Sequence, residues 1–283
     1  HNTVQTQYCA TKPVVDWSID IPDRVKYSEA EYVTRLQDSV IEVAHVTDTH
    51  VDLQYTRGAA AKGCREPLCC RSYQSQPQST SSADIAGLWG SYKSCDIPPS
   101  TVHNLLDTLS TKHKNIEFIY MTGDLIAHNI WETTREENIK QIQDQAALFH
   151  EILGRDVKIF PVLGNHEPHP ANVLAPPGIK NYSGEWLYEA FYEAWCKHFP
   201  QEAKSTFMKG GYYTVTPTPG FRIIGLNSLY GYVFNWWMIL DPEDPAGQLK
   251  WLKNTLLLAE TRREKVHILM HGPSVETDTL QVW

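Results

Sequence analysis

The sequence predicts an α/β fold in which a layered sheet carries helices on its outside. Two observations predict it. Four short apolar runs each stop at a polar loop rich in Asp, Asn or His, and stretches with apolar residues at three- and four-residue steps separate most of them. The composition agrees: 283 residues, 42% hydrophobic and 20% charged, exclude disorder and a fibrous chain.

Residues 1–38 carry little periodicity, and Pro13, Asp16, Pro22 and Asp23 favour an extended arm or linker over a domain. The domain proper is expected over 39–283. Val40, Ile41, Val43, Ala44 and Val46 read as a buried strand that stops at Thr47-Asp48-Thr49-His50. A second strand over 116–121 ends at Thr122-Gly123-Asp124. The third, over 157–163, ends at Gly164-Asn165-His166-Glu167, and the fourth, over 266–270, at His271-Gly272-Pro273. Helices are expected over 101–112, 132–153, 185–199 and 246–260. Residues 212–216 and 221–226 flank a Pro-Thr-Pro-Gly turn and predict a hairpin in the same sheet system.

Residues 56–98, rich in Ser, Gln, Gly and Cys, form a long insertion. Cys64, Cys69, Cys70 and Cys95 crowd into it without the C-x-x-C spacing of a zinc knuckle, which favours two local disulfides. Side chains of adjacent cysteines diverge, so the simplest pairing is Cys64 with Cys69 and Cys70 with Cys95. Such bridges persist in the secretory pathway, the lysosome or outside the cell, and the sequon at Asn181-Tyr182-Ser183 suits those places. Cys9 and Cys196 are either a long-range pair or two thiols.

The 33 acidic against 25 basic residues give a net charge of −8, so no general basic surface exists and no nucleic-acid partner is expected. No apolar run is long enough to span a bilayer, and the first 20 residues lack the order of a signal peptide.

Strand-end loops are where such sheets gather ligands. A centre of two cations needs carboxylate and imidazole donors from several directions, with one carboxylate shared. Asp48 and His50 can turn toward one ion, Asp124 can bridge, and Asn165 and His271 can hold the other. Taken singly, an Asp after Gly is a common turn and a lone histidine is usually solvated. Their order and strand-end placement make the set.

D-T-H, G-D, G-N-H-E and a strand-end His together resemble the calcineurin-like metallophosphoesterases. The Cys64-to-Cys70 cluster with Cys95, the segment from Gly123 to Asn129 and the run from Asp244 to Leu252 narrow the resemblance to the acid sphingomyelinase family. It extends from the first strand to Pro273. It implies a layered β-sandwich flanked by helices and two Zn²⁺ held by Asp48, His50, Asp124, Asn165 and His271. It also implies zinc-assisted hydrolysis of sphingomyelin to ceramide and phosphocholine, by a secreted or lysosomal enzyme working at a membrane surface.

The family's catalytic histidines fall on His128 and His166. His128 is the expected proton donor to the departing alkoxide and His166 the group on the phosphoryl oxygen, and the two roles are exchangeable. The family's closing G-H-x-H and its saposin-like domain do not occur in this sequence, so the resemblance implies an incomplete ligand set. Two other readings therefore stand beside the first: a related phosphodiesterase on nucleotides or other small phosphodiesters, and a secreted, non-catalytic binding protein. His267 is expected deep in the sheet and is not a substitute ligand. Glu167 is expected to orient its neighbours. The aromatic run from Tyr230 to Trp237 either meets a lipid interface, lines a groove or is buried.

Overall fold

The computed structural model describes residues 18–23, 40–73, 81, 84–154, 156–179, 181–197, 199–241 and 243–273. Most of the expected N-terminal arm, Cys9 and the last ten residues lie outside them.

The chain order is β1 (Glu42–Val46), α1 (Pro99–Lys112), β2 (Ile116–Met121), α2 (Arg135–Leu153), β3 (Lys158–Pro161), α3 (Glu185–Trp195), α4 (Gln201–Gly210), β4 (Tyr213–Thr218), β5 (Phe221–Gly225), α5 (Gln248–Thr261) and β6 (Lys265–Leu269). The first three strands form one parallel sheet in the order β1-β2-β3. Its central strand buries Phe118, Ile119, Tyr120 and Met121 in succession, because a parallel strand with both faces covered needs no polar alternation. The second sheet, β4-β5-β6, pairs β4 with β5 antiparallel and β5 with β6 parallel.

The sheets meet through Phe118 stacked on Phe221, with centroids 6.2 Å apart, and through Tyr120, whose hydroxyl lies 2.7 Å from Nδ1 of His267. The layered α/β sandwich is thus borne out. On the outside, α2 lays Ile142, Ala146 and Phe149 into the core at helical spacing. Thr134 caps it by accepting the Glu137 N–H at 3.2 Å, and Glu136 and Glu137 complement the positive end of the helix dipole.

The structure departs from the sequence reading in two places and settles a third that was left open. The helix expected over 185–199 ends at Trp195, and a separate helix, α4, starts behind Pro200 and buries Ala203 and Phe207. Proline cannot continue an existing helix but suits the start of a new one. Next, His267 is exposed, not deep in the sheet: β6 is the outer strand of its sheet among the described residues, so one flank is open. Finally, the aromatic run divides. Tyr230 is buried and bonded to Tyr188 at 2.6 Å, whereas Phe234 and Trp236 are exposed.

Both expected bridges, Cys64–Cys69 and Cys70–Cys95, are formed. Cys70 packs with Ala61 and Ala86 into a small second core that gives the insertion its own interior. Cys196 is buried and unbridged. The Asp244-to-Leu252 signature serves the fold: Asp244 accepts the N–H groups of Leu249 and Lys250 at the head of α5, and the buried Gln248 bonds the backbone of Asn227.

Candidate metal centre and catalytic histidines

Three residues that are not glycine turn the chain at the carboxyl ends of β1 and β2 through positive φ: Asp48 at 53°, His50 at 37° and Asp124 at 58°. Backbone held in this sparsely populated region costs of order 1–3 kcal/mol per residue and persists where surrounding contacts enforce it. Here the enforcement is visible. Asp48 N–H donates to the Gly123 carbonyl and His50 N–H to that of Asp124, both at 3.0 Å, so the two loops brace each other. Glu167, fully buried, accepts the N–H groups of Asp124, Leu125 and Gly164 at 3.0, 2.6 and 2.6 Å. Burial and the nearby Asp124 charge push its carboxyl up. A Cβ on Gly164 would be driven into the side chain and backbone of Asp124, which leaves glycine as the residue that fits.

Around Asp124 the expected ligands converge. His50 donates from Nδ1 to the Ile126 carbonyl at 2.7 Å, and His271 from Nδ1 to that of Thr122 at 2.8 Å. In both rings this leaves Nε2 facing inward, 3.3 Å from the same oxygen, Oδ2 of Asp124. Asn165 donates its amide to Asn172 at 2.8 Å, which turns Oδ1 to within 2.8 Å of His271 Nε2. Asp48 reaches His50 from the open side at 3.8 Å.

The other two histidines stand across from this set. His50 and His128 have ring centroids 4.0 Å apart, His128 and His166 4.6 Å, and His50 and His166 4.8 Å. His128 is half exposed, with Nδ1 2.7 Å from Asp96. His166 is buried, and its Nδ1 has no hydrogen-bond partner among the described residues. The structure therefore brings all seven sequence-predicted residues to one sheet end.

The electrostatics divide them. Burial works against a charged His50, yet its bonds to Asp124 and Asp48 outweigh this and raise it to about 10. His271 rises to about 9 by the same opposition, with Asp124 prevailing over burial. Burial likewise opposes the Asp124 anion, but His271 and His50 hold its carboxyl well below the carboxylate range. His166 falls to about 4, chiefly from burial, with the His50 and His128 charges adding to it, and it stays neutral at pH 7.

The donor set fits a pair of divalent cations. Both inward imidazoles have their outer N–H anchored to backbone carbonyls, the usual support of a ligating histidine, and one carboxylate oxygen sits between them. The negative field that holds protons on His50 and His271 is the field that would hold cations. Asp48, His50 and Asp124 also place one donor atom each within 4.8 Å of one another.

Several supporting residues lie outside the sequence motifs. Asp96 holds His128, Asn172 turns Asn165, and the buried Arg71 pairs with Asp52 at 2.9 and 3.0 Å just after the first ligand loop. Asp96 and Arg71 each follow a bridged cysteine, and that adjacency is the one sequence signal they carried.

The family model for the calcineurin-like phosphoesterases matches residues 41–281. The chain belongs to that family of metal-dependent phosphoesterases. Its sequence is similar to a sphingomyelin phosphodiesterase of Bos taurus, 41% identical over 83% of this chain and 37% of that protein. A sphingomyelin phosphodiesterase of Homo sapiens is 40% identical over 83% of this chain and 36% of its own length. A cyclic GMP-AMP phosphodiesterase of Bos taurus is 29% identical over 81% of this chain and 47% of its own. The chain thus spans little more than a third of the length of these two sphingomyelin phosphodiesterases, and the resemblance to acid sphingomyelinases read from its motifs is borne out.

Proposed function

We propose that this chain carries the catalytic centre of a zinc-dependent phosphodiesterase that hydrolyses sphingomyelin to ceramide and phosphocholine. The observation that carries the reading is the Asp124 carboxylate set between His50 and His271, with Asn165 and Asp48 beside them and His128 and His166 opposite. The 41% identity to a sphingomyelin phosphodiesterase supports the lipid substrate.

Asp48, His50, Asp124, Asn165 and His271 would hold the two zinc ions, which when bound supply positive charge to a phosphate oxygen and lower the pKa of water toward neutrality. His166, buried and with a free Nδ1, would donate to a phosphoryl oxygen when that nitrogen carries the ring hydrogen. His128 gives the proton on Nε2 to the ceramide oxygen as its bond to phosphorus breaks, while Nδ1 stays with Asp96. Protonation of a poor alkoxide leaving group is worth roughly 10²- to 10⁴-fold in rate.

The two disulfides support work in an oxidising compartment, secreted or lysosomal, and no helix among the described residues is long and apolar enough to cross a membrane. A second reading, hydrolysis of a nucleotide phosphodiester, is favoured by the 29% identity to a cyclic GMP-AMP phosphodiesterase. Zinc-loaded protein should release phosphocholine from sphingomyelin vesicles faster than it hydrolyses cyclic GMP-AMP or a nucleoside triphosphate. The reverse order would transfer the assignment to nucleotides, and loss of neither substrate despite bound zinc would leave a binding protein.

A further inference from the structure

We propose that Asp96, carried on the disulfide-stapled insertion, is the positioning residue of His128, fixing the ring so that Nδ1 bears the inner proton and Nε2 faces the leaving oxygen. The proposal rests on the proton-donor reading of His128 given above.

Asp96 grips His128 twice. Oδ2 accepts the backbone N–H and Oδ1 meets ring Nδ1, each at 2.7 Å, so one carboxylate fixes both where the residue sits and how its ring is turned. The grip matters because the His128 side chain is 51% exposed, while Asp96 is 8% exposed. A surface imidazole otherwise exchanges rotamers freely. A carboxylate accepts and cannot donate, so Nδ1 must carry hydrogen whenever the contact is made. With Nδ1 turned inward, Nε2 is the nitrogen left to face the leaving oxygen.

What holds Asp96 is the insertion. Cys95, its neighbour, is bridged to Cys70. Arg71, next along from Cys70, is buried and reaches Asp52 at 2.9 and 3.0 Å and Glu132 at 2.8 Å. Asp52 N–H in turn donates to the Ile97 carbonyl at 2.9 Å, one residue beyond Asp96. One bridge therefore ties together the loop of Asp48 and His50, the Asp96 segment and the loop from His128 to Glu132. The stretch that reads as a long, disulfide-bearing insertion is the frame for the proton donor.

The test is Asp96→Asn, which places an N–H where the oxygen faced Nδ1 and so favours the opposite tautomer, and Asp96→Ala, which removes the grip. In zinc-loaded full-length protein, both should lower kcat on sphingomyelin about 10- to 100-fold, the range for losing an orienting partner. KM, zinc content and thermal stability should stay near those of the parent. A nitrophenyl phosphodiester, whose leaving group is stable as an anion, should slow less than about 3-fold. Long-range ¹⁵N–¹H spectra of the unmutated protein should show the His128 proton on Nδ1, and Asp96→Asn should move it.

Equal losses on both substrates, loss of zinc, or unchanged turnover on sphingomyelin would overturn the proposal, as would an Nε2–H tautomer in the unmutated protein. If that protein hydrolyses no phosphodiester while the tautomer stands as stated, the functional reading fails and the Asp96 grip survives.

Discussion

His50, His128 and His166 crowd within 5 Å of one another, yet their surroundings give them different tasks. His50 faces two carboxylates and is built to hold positive charge; His166 is buried among imidazoles and is held neutral. His128 faces Asp96 on one side and solvent on the other, which suits a group that takes up and gives away a proton. His128→Ala should therefore keep both zinc ions but slow hydrolysis of sphingomyelin by at least roughly 10²-fold, with a much smaller loss on a nitrophenyl phosphodiester. Equal losses with zinc retained would pass the proton-donor role to His166. Asp124→Asn tests the opposite kind of residue. An amide cannot share two cations as a carboxylate does, so zinc stoichiometry by elemental analysis and turnover should fall together. Normal values of both would reduce Asp124 to a turn residue.

The elements show which parts of the fold the chain spells out locally. β2 occupies the predicted residues because its apolar run is bounded by polar punctuation on both sides, and β3 and β6 are displaced by a residue or two at their ends. The helix α4 was not legible because a Lys- and Glu-bearing stretch whose buried positions are Ala203, Phe207 and Gly210 shows little apolar periodicity; the Pro200 before it and the left-handed Gly211 after it were the usable marks. The five expected ligand positions and the two expected catalytic histidines could be named because each sits in a motif at a strand end. Asp96 could not, since its partner is 32 residues away and only the folded insertion joins them. That dependence gives the bridge a measurable weight. Closing a loop of 25 residues is worth about 3.5 kcal/mol, so Cys70→Ser with Cys95→Ser should lower stability by that order in denaturant unfolding. Thr134→Ala, which removes the α2 cap, should cost only about 1 kcal/mol. A bridge variant as stable as the parent would show that the small core of the insertion holds Asp96 by itself.

At the scale of the whole molecule, the site is where the two sheets are joined. Asp48, His50, Asp124 and Asn165 leave the ends of the parallel sheet, whereas His271 leaves β6 of the mixed one. Within the protein, the join rests on the hydrogen bonds of His271 to Thr122 and Asn165 and on that between Tyr120 and His267, together with the aromatic contacts between the sheets. Cations shared by His50, Asp124 and His271 would tie the sheets directly and bind only the folded chain. Mass action then stabilises the fold by about 2.7 kcal/mol when free zinc is 100 times its dissociation constant. For a domain of this size, that corresponds to roughly 5 to 10 °C in Tm. Zinc should therefore raise the Tm in a concentration-dependent way and a chelator should reverse the rise. Asp124→Asn and His271→Ala should each remove most of it, while Asp96→Asn, which leaves the ligands untouched, should keep it. A Tm indifferent to zinc, or a rise that survives both ligand substitutions, would place zinc binding somewhere other than this join.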